Sequence, residues 1–199
     1  MVSVWQAHLS FVLIGFVAFS ALRFTAPWRP WLLPLLVVAS FIPLSQLSLA
    51  SYVRSFTDDL AFSTLVLLAW VSLTRLGLLQ PLERTQRMQL LLAFTLLSLL
   101  LYPATLGLTY FDPYRWGFNP RPMIVLVAGL ALLMLWLRNT LAVAMLALGT
   151  LAFALRLKPS ENYWDYLLDP LLTGYCLIAA TALLIGSAWR PLMKWHRGQ

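Results

Sequence analysis

The sequence is poor in charged residues and rich in apolar ones. Asp, Glu, Lys and Arg together make up 11% of its 199 residues, whereas soluble proteins contain about a quarter. Hydrophobic residues make up 61%, and the mean hydropathy is +0.80. A soluble core cannot cover this much apolar surface, but a lipid bilayer can. The composition therefore predicts an integral membrane protein with the lipid bilayer as a partner.

The residues that usually carry chemistry are scarce. Cys176 is the one cysteine, so an intramolecular disulfide is excluded. The two histidines, His8 and His196, do not supply paired haem ligands or a zinc cluster. Because no lysine lies within an apolar run, a retinal Schiff base is excluded, and G-x-S-x-G, H-E-x-x-H and phosphate-binding glycine loops are missing. We therefore expect neither a metal ion nor a cofactor.

The net charge of +7 does not indicate nucleic-acid binding, because the basic residues are not clustered in a patch. They lie instead at the ends of apolar runs, which is typical of membrane proteins. The first basic residue is Arg23, so the N-terminus lacks the positive region of a cleavable signal peptide. We expect the first apolar run to stay in the mature protein.

Seven apolar runs approach the length of a transmembrane helix, about 20 residues. Residues 122–156 would form a single helix about 50 Å long, against about 30 Å for the hydrocarbon core, so we predict a tight hairpin at Arg138 and Asn139. The connecting loops are short, which predicts an all-α fold and one membrane domain over residues 1–199. The predicted spans lie near residues 5–22, 31–50, 60–79, 88–108, 122–137, 140–156 and 170–189.

The charges of the loops predict an orientation for this seven-helix bundle. With the N-terminus outside and the C-terminus inside, the inner segments carry nine basic residues and a single acid, Glu83. The positive-inside rule favours this N-out/C-in topology. Arginine outnumbers lysine twelve to two, as in GC-rich bacterial genomes, so we expect a multi-pass protein of a bacterial inner membrane. The remaining six acids then lie outside: Asp58, Asp59, Asp112, Glu161, Asp165 and Asp169.

The outer segments contain the candidate site residues. Glu161, Asp165 and Asp169 are four residues apart, so a helix over 160–169, with Ser160 as N-cap, would align them in one acidic stripe. Carboxylates can act as general acids or bases. The candidate catalytic residues are Asp58, Asp59, Asp112, Glu161 and Asp165. The candidate ligand-binding residues, which suit a phosphate or a sugar, are Arg54, Arg115, Arg121, Lys158 and Tyr114.

A structural role for the same residues is the alternative. Helix N-termini favour acids by about 0.3–1 kcal/mol each. Asp58 or Asp59 is placed to cap the helix of span 60–79, and Asp169 followed by Pro170 is a typical N-cap for the last helix. Most tryptophans, Trp164 among them, lie near span ends, as in an aromatic belt at the membrane interface.

Three functions follow as hypotheses. The first is a non-enzymatic accessory or scaffold subunit whose charged, aromatic outer face meets an envelope protein partner. The second is an enzyme that acts on a lipid or lipid-linked substrate at the outer face. The third is a small-solute transporter or substrate-binding membrane subunit, with a polar cavity between helices lined by Ser45, Gln46, Ser63, Thr64, Thr105 and Tyr175.

Overall fold

The computed structural model describes residues 4–22 and 27–196, with the backbone only for residue 184 and residues 186–196. This part of the chain is all-α, as the sequence predicts, apart from one pair of two-residue strands. The helices are α1 Val4–Ser20, α2 Arg29–Ser40, α3 Leu49–Thr57, α4 Phe62–Arg75, α5 Arg84–Thr105, α6 Pro120–Trp136, α7 Thr140–Ala154, α8 Trp164–Leu167 and α9 Pro170–His196. The strands are β1 Pro43–Leu44 and β2 Leu47–Ser48, and a 3-10 helix covers Pro113–Gly117.

One end of the bundle, here called the acidic end, gathers the six acids assigned to the outside. The Gln6 amide of α1 donates to the Leu60 carbonyl at 2.7 Å, immediately before α4. Asp169, which precedes α9, accepts from the Ala61 backbone N–H at 2.8 Å. The N-termini of α1, α4 and α9 therefore meet at this end.

The opposite end, here called the basic end, carries Arg75, Arg84, Arg87 and Arg138. Arg75 at the end of α4 donates to the Ser20 hydroxyl at the end of α1, at 2.7 Å. Gln86 in the first turn of α5 donates to the Arg138 carbonyl at 3.0 Å, in the turn between α6 and α7. Seven helices, α1, α2, α4, α5, α6, α7 and α9, thus run between the two ends in alternating directions.

The second predicted span, residues 31–50, is not one continuous helix. Helix α2 ends at Ser40, and Pro43–Leu44 then pairs with Leu47–Ser48 in a short antiparallel ladder. Pro43 has no backbone N–H for a helix, and Ser45 turns the chain at a positive φ of 59°. The hydroxyl of Ser48 then caps α3 by accepting from the Ser51 N–H at 3.2 Å. The segment therefore ends in a hairpin and a short helix near the acidic end.

The predicted hairpin between the fifth and sixth spans is confirmed. Helix α6 ends at Trp136 and α7 begins at Thr140, with Arg138 at φ 56° between them. The buried Asn139 caps α7 by accepting from the Ala142 N–H at 3.1 Å, and it donates to the Gln86 carbonyl at 2.7 Å. One side chain therefore fixes both the turn and its contact with α5.

The largest core cluster lies between α5, α6, α7 and α9, where Phe94, Met123 and Met145 are fully buried. The outward faces of the same helices remain apolar: Val125, Leu132 and Ile178 are each at least 67% exposed. By length and composition, one helix of the described part, α5, is able to cross a membrane. The other apolar helices there are shorter when α9 is counted over Pro170–Leu183.

Candidate functional site at the acidic end

A cleft of about 640 Å³ opens at the acidic end, between the end of α3, the end of α5 and the segment that precedes α9. It brings together six of the ten candidate residues from the sequence: Arg54, Asp58, Asp59, Tyr114, Lys158 and Asp165. Asp169 and the polar side chains of Thr57, Tyr102, Thr105 and Ser160 also line it. The cleft therefore joins parts of the chain that lie up to about a hundred residues apart.

Asp169 forms the base of this cleft and is 6% exposed. Its Oδ1 accepts from the Leu172 N–H at 2.7 Å, so the predicted N-cap of the last helix is confirmed. Its Oδ2 accepts from the Ala61 N–H at 2.8 Å. The prediction that Asp58 or Asp59 caps the helix of span 60–79 is wrong, because Ala61 is the N-cap residue of α4 and no side chain caps this helix.

Asp59 is paired with Arg54 across the α3–α4 connection. The guanidinium donates from Nη2 to Asp59 Oδ2 at 2.9 Å, and its Nε lies 2.7 Å from Oδ1 without a hydrogen bond to that atom. The Asp59 side chain is 8% exposed and that of Arg54 is 25% exposed. The pair is therefore partly withdrawn from water and holds the end of α3 against the start of α4.

Lys158 is bound by backbone carbonyls rather than by a carboxylate. Its Nζ donates to the carbonyls of Asp59 at 2.6 Å and Asp165 at 2.9 Å, with Leu60 at 3.4 Å. Burial lowers the pKa of this ammonium below its ordinary value, although the negative charges of Asp165 and Asp59 oppose that shift. Lys158 therefore joins the loop after α7 to the start of α4.

The predicted helix over 160–169 is not formed, because helix α8 covers Trp164–Leu167 only. Glu161 is exposed, Asp165 is half-buried and Asp169 is buried, so the three carboxylates form no stripe. Asn162 sets the local turn, since its Oδ1 accepts from the Trp164 N–H at 2.9 Å. Acids four residues apart share one face only in a continuous helix, and this turn interrupts the helix.

Ser160 does not cap a long helix either. Its hydroxyl accepts from the Asn162 N–H at 3.0 Å and donates to Asp165 Oδ2 at 2.5 Å. The Tyr114 hydroxyl lies 3.4 Å from Asp165 Oδ1, and burial together with the charge of Asp165 raises the pKa of Tyr114. The Asp165 carboxylate is thus half-buried in the cleft and has two hydroxyl neighbours.

Aromatic side chains anchor this segment inside the bundle. Trp164 is fully buried, and its indole N–H donates to the Pro113 carbonyl at 2.9 Å. Its assignment to the interfacial belt is therefore wrong. The Tyr166 hydroxyl donates to the carbonyls of Lys158 at 2.9 Å or Ser160 at 3.0 Å. These bonds connect the loop before α9 to the 3-10 helix and to itself.

Four candidate residues lie outside the cleft. Asp112 is exposed and caps the 3-10 helix by accepting from the Tyr114 N–H at 3.1 Å. Glu161 lines a second cavity, of about 470 Å³, together with Arg156. Arg115 and Arg121 are exposed on the surface. The residues of the predicted transport cavity are also separated, because Thr105 lines the cleft and Tyr175 lines a different groove.

Asp58 has the most unusual backbone at the cleft. It ends α3 at φ 56° and ψ −167°, a region that is populated mainly by glycine. Such a conformation costs about 1–3 kcal/mol and is common at functional sites. Its side chain is exposed to the cleft opening. No signal in the sequence around Asp58 predicts this strain.

The contacts divide the candidate residues by what they are able to do. The side chains of Asp59, Asp169 and Lys158 bind Arg54 or backbone groups and hold elements together. The Asp165 carboxylate binds the hydroxyls of Ser160 and Tyr114, and Asp58 is exposed at the cleft. Among the side chains that the structure describes, no three of His, Cys, Asp or Glu are grouped to hold a metal ion. Comparison with family models, with curated proteins and with solved structures finds no match to this chain.

Proposed function

We propose that this chain is a multi-pass protein of a bacterial inner membrane, with seven spans and an N-out/C-in topology. The support is the alternation of seven helices between the two ends together with large apolar side chains exposed along them, such as Val125 and Leu132. Exposed apolar surface of this extent suits contact with lipid. Helices shorter than the hydrocarbon core are accommodated by local thinning of the bilayer.

Labelling of single cysteines tests this topology. In a Cys176→Ala background, Tyr110→Cys reports on the acidic end and Glu83→Cys on the basic end. A membrane-impermeant maleimide added to spheroplasts should label Tyr110→Cys directly and Glu83→Cys only after permeabilisation. The reverse pattern contradicts the orientation, and labelling of both positions without permeabilisation contradicts the seven-span arrangement.

Within this topology, the protein acts as a non-enzymatic accessory or scaffold subunit whose acidic end meets an envelope protein partner. The observation that carries this proposal is the bonding of the charged groups at that end to the protein itself. Asp169 caps α9 and binds the Ala61 N–H before α4, Asp59 pairs with Arg54, and Lys158 is bound by carbonyls. These bonds make the loops a fixed platform rather than a set of free catalytic groups.

The platform presents aromatic side chains to the outside. Phe56 is 89% exposed, Tyr110 is fully exposed, and Phe111 and Phe118 are more than half exposed. Aromatic residues are enriched in the buried centres of protein–protein interfaces. A partner that contacts them would bury apolar surface without displacing the internal bonds of the acidic end.

Photo-crosslinking in the native membrane tests the accessory role. A photoreactive amino acid is placed at Phe118 or Tyr110, and the matched control positions are Leu132 and Leu96, which are exposed along α6 and α5. We expect one protein to be crosslinked from the acidic end only, and the same protein to co-purify at a fixed ratio with the wild type. Adducts that are equal at all four positions, or lipid adducts alone, contradict this function.

The cleft favours a second candidate function, an enzyme acting on a lipid or lipid-linked substrate. The specific observation is the strained backbone of Asp58 at the opening of a cleft that also contains Asp165. Native mass spectrometry in a mild detergent compares wild type, Asp58→Asn, Asp165→Asn and, as a control outside the cleft, Asp112→Asn. A bound molecule lost only in the two cleft variants supports this function, and identical spectra for all four proteins contradict it.

A further inference from the structure

A separate groove of about 330 Å³ lies toward the basic end, between α4 and α5. One face of α4 contributes Leu67, Trp70, Val71, Thr74 and Arg75, and the start of α5 contributes Arg87, Leu90 and Leu91. Leu141 of α7 and Tyr175 of α9 also line it, with Pro81 and Leu82 of the connecting loop.

Two buried hydrogen-bond donors of this groove have no partner among the described residues. These are the indole Nε1 of Trp70 and the hydroxyl Oγ1 of Thr74. They stand one helical turn apart on α4, so they belong to the same face. A buried polar group without a partner is unfavourable, so an acceptor that reached these two donors from the groove would be stabilised.

The charge of the groove is positive. Arg75 and Arg87 line it, and among the residues that the structure describes no Asp or Glu side chain does. Arg75 is held in place through Nη1, which donates to the Val17 carbonyl and the Ser20 hydroxyl. An arginine fixed in this way is preorganised for an oxyanion, because a guanidinium carries five N–H donors in a planar fork.

The remaining walls are apolar and follow the direction of the helices. Leu67, in the middle of α4, extends the groove away from the arginines, whereas Leu90, Leu91 and Leu141 line it near the starts of α5 and α7. A ligand that fits must therefore combine an anionic, acceptor-rich group at the basic end with an apolar chain. A phospholipid of the inner leaflet has this composition in the membrane orientation proposed above.

We propose that this groove binds the phosphate headgroup of an anionic phospholipid. The phosphate oxygens accept from Arg87, Arg75 and Thr74, the Trp70 N–H donates to the ester region, and an acyl chain lies along Leu67 and Leu90. The site rests on insertion in the membrane with the basic end inside, but not on the accessory role of the acidic end. It gives the protein a specific lipid between two helices.

Native mass spectrometry of the purified protein in a mild detergent, titrated with phosphatidylglycerol, tests this site. Three variants alter the donors: Arg87→Gln, Thr74→Val and Trp70→Phe. Each has a matched control away from the groove: Arg84→Gln on the same helix end, Thr95→Val, which also removes a buried hydroxyl without a described partner, and Trp136→Phe. Phosphatidylcholine and inorganic phosphate are titrated in parallel.

We expect Arg87→Gln to weaken phosphatidylglycerol binding by about tenfold or more, and Thr74→Val and Trp70→Phe by several-fold. The three controls should bind as the wild type does, and phosphatidylcholine should bind more weakly. Equal losses in variants and controls, or equal binding of the two lipids, overturn the proposal. Binding of inorganic phosphate that depends on Arg87, without phosphatidylglycerol binding, also overturns it and assigns the site to a soluble anion.

Discussion

The carboxylate of Asp169 holds the backbone N–H of Ala61 at 2.8 Å, although the two residues are 108 positions apart. The same carboxylate caps α9 through the Leu172 N–H at 2.7 Å. Two helices therefore start at one buried anion, where their N-terminal dipoles both favour negative charge. This bond fixes the ends of α4 and α9 side by side at the floor of the cleft.

Replacement of Asp169 by alanine should destabilise the protein by about 2–4 kcal/mol. One helix loses its N-cap and the other keeps a buried N–H without an acceptor. Asp169→Asn retains one carbonyl oxygen and should lose about half as much. Because Cys176 is a buried free thiol and the one cysteine of the chain, thermal unfolding in detergent can be followed by its labelling.

The matched control for Asp169 is Asp112→Ala, which removes an exposed cap from the short 3-10 helix. Its cost should stay below about 1 kcal/mol. If Asp169→Ala and Asp112→Ala unfold at the same temperature, the two hydrogen bonds of Asp169 do not stabilise the bundle.

Gly117 should not tolerate alanine. A Cβ at this position would lie 1.7 Å from Asn162 Oδ1 and 2.9 Å from Trp164 Cδ1. Gly117→Ala therefore displaces Asn162 and its bonds, at a cost of about 3 kcal/mol. The thiol-labelling temperature of Cys176 should fall by several degrees.

The control for this change is Gly129→Ala in the middle of α6, where a Cβ has no neighbour within 4 Å. Alanine there should be neutral or stabilise the helix by up to about 1 kcal/mol. The two substitutions are chemically identical, so similar unfolding temperatures would show that the Gly117 contact is not tight.

Lys158→Met should destabilise the protein by about 1–3 kcal/mol at pH 7, because two carbonyls lose a close donor. The effect should also depend on pH. Burial lowers the pKa of Lys158 in the folded state below 10.5. Between that lowered pKa and 10.5 the unfolded chain binds a proton that the folded chain has released, so wild-type stability rises with pH relative to Lys158→Met.

The measurement is the difference in unfolding temperature between wild type and Lys158→Met from pH 7.5 to 10.5. Taking the difference cancels the titration of tyrosines that both proteins share. A difference that stays constant over this range would mean that Lys158 titrates alike in the folded and unfolded chains.

Arg54 and Asp59 should show a coupling free energy of about 1–2 kcal/mol in a double-mutant cycle. Removing one partner of a buried pair costs several kcal/mol, whereas an exposed pair contributes under about 1 kcal/mol. The Arg54–Asp59 pair is partly exposed, so its coupling should lie between these limits. The cycle uses Arg54→Gln, Asp59→Asn and both together. A coupling under about 0.3 kcal/mol would show that the pair does not join α3 to α4.

Several features of the fold follow from local patterns in the sequence. Apolar runs predict the helices, the polar pair Arg138 and Asn139 predicts the turn between α6 and α7, and Asp169 before Pro170 predicts the start of α9. Each of these signals depends on residues within about one helical turn. Pro43 also marks the break in the second span locally. A proline is compatible with either a kinked helix or a hairpin, so the sequence could not tell which of the two forms.

The candidate site was predictable in part. Six of ten candidate residues share the cleft, because charged residues at one end of a bundle must lie near each other. The acidic stripe was not predictable, since Asn162 and the burial of Trp164 replace the helix by a turn. The lack of a hydrogen-bond partner for Trp70 and Thr74 was not predictable either, because it depends on how α4 packs against α5.

The sequence by itself determined the all-α class, the start of α9 and the turn between α6 and α7. These properties depend on hydrophobicity, helix capping and loop charge, which act over a few residues. Only the tertiary structure decided that Asp169 accepts a hydrogen bond from Ala61 and that backbone carbonyls bind Lys158. It also decided that two arginines and two buried donors line one groove. Those contacts join residues far apart in the chain, and packing alone sets their distances.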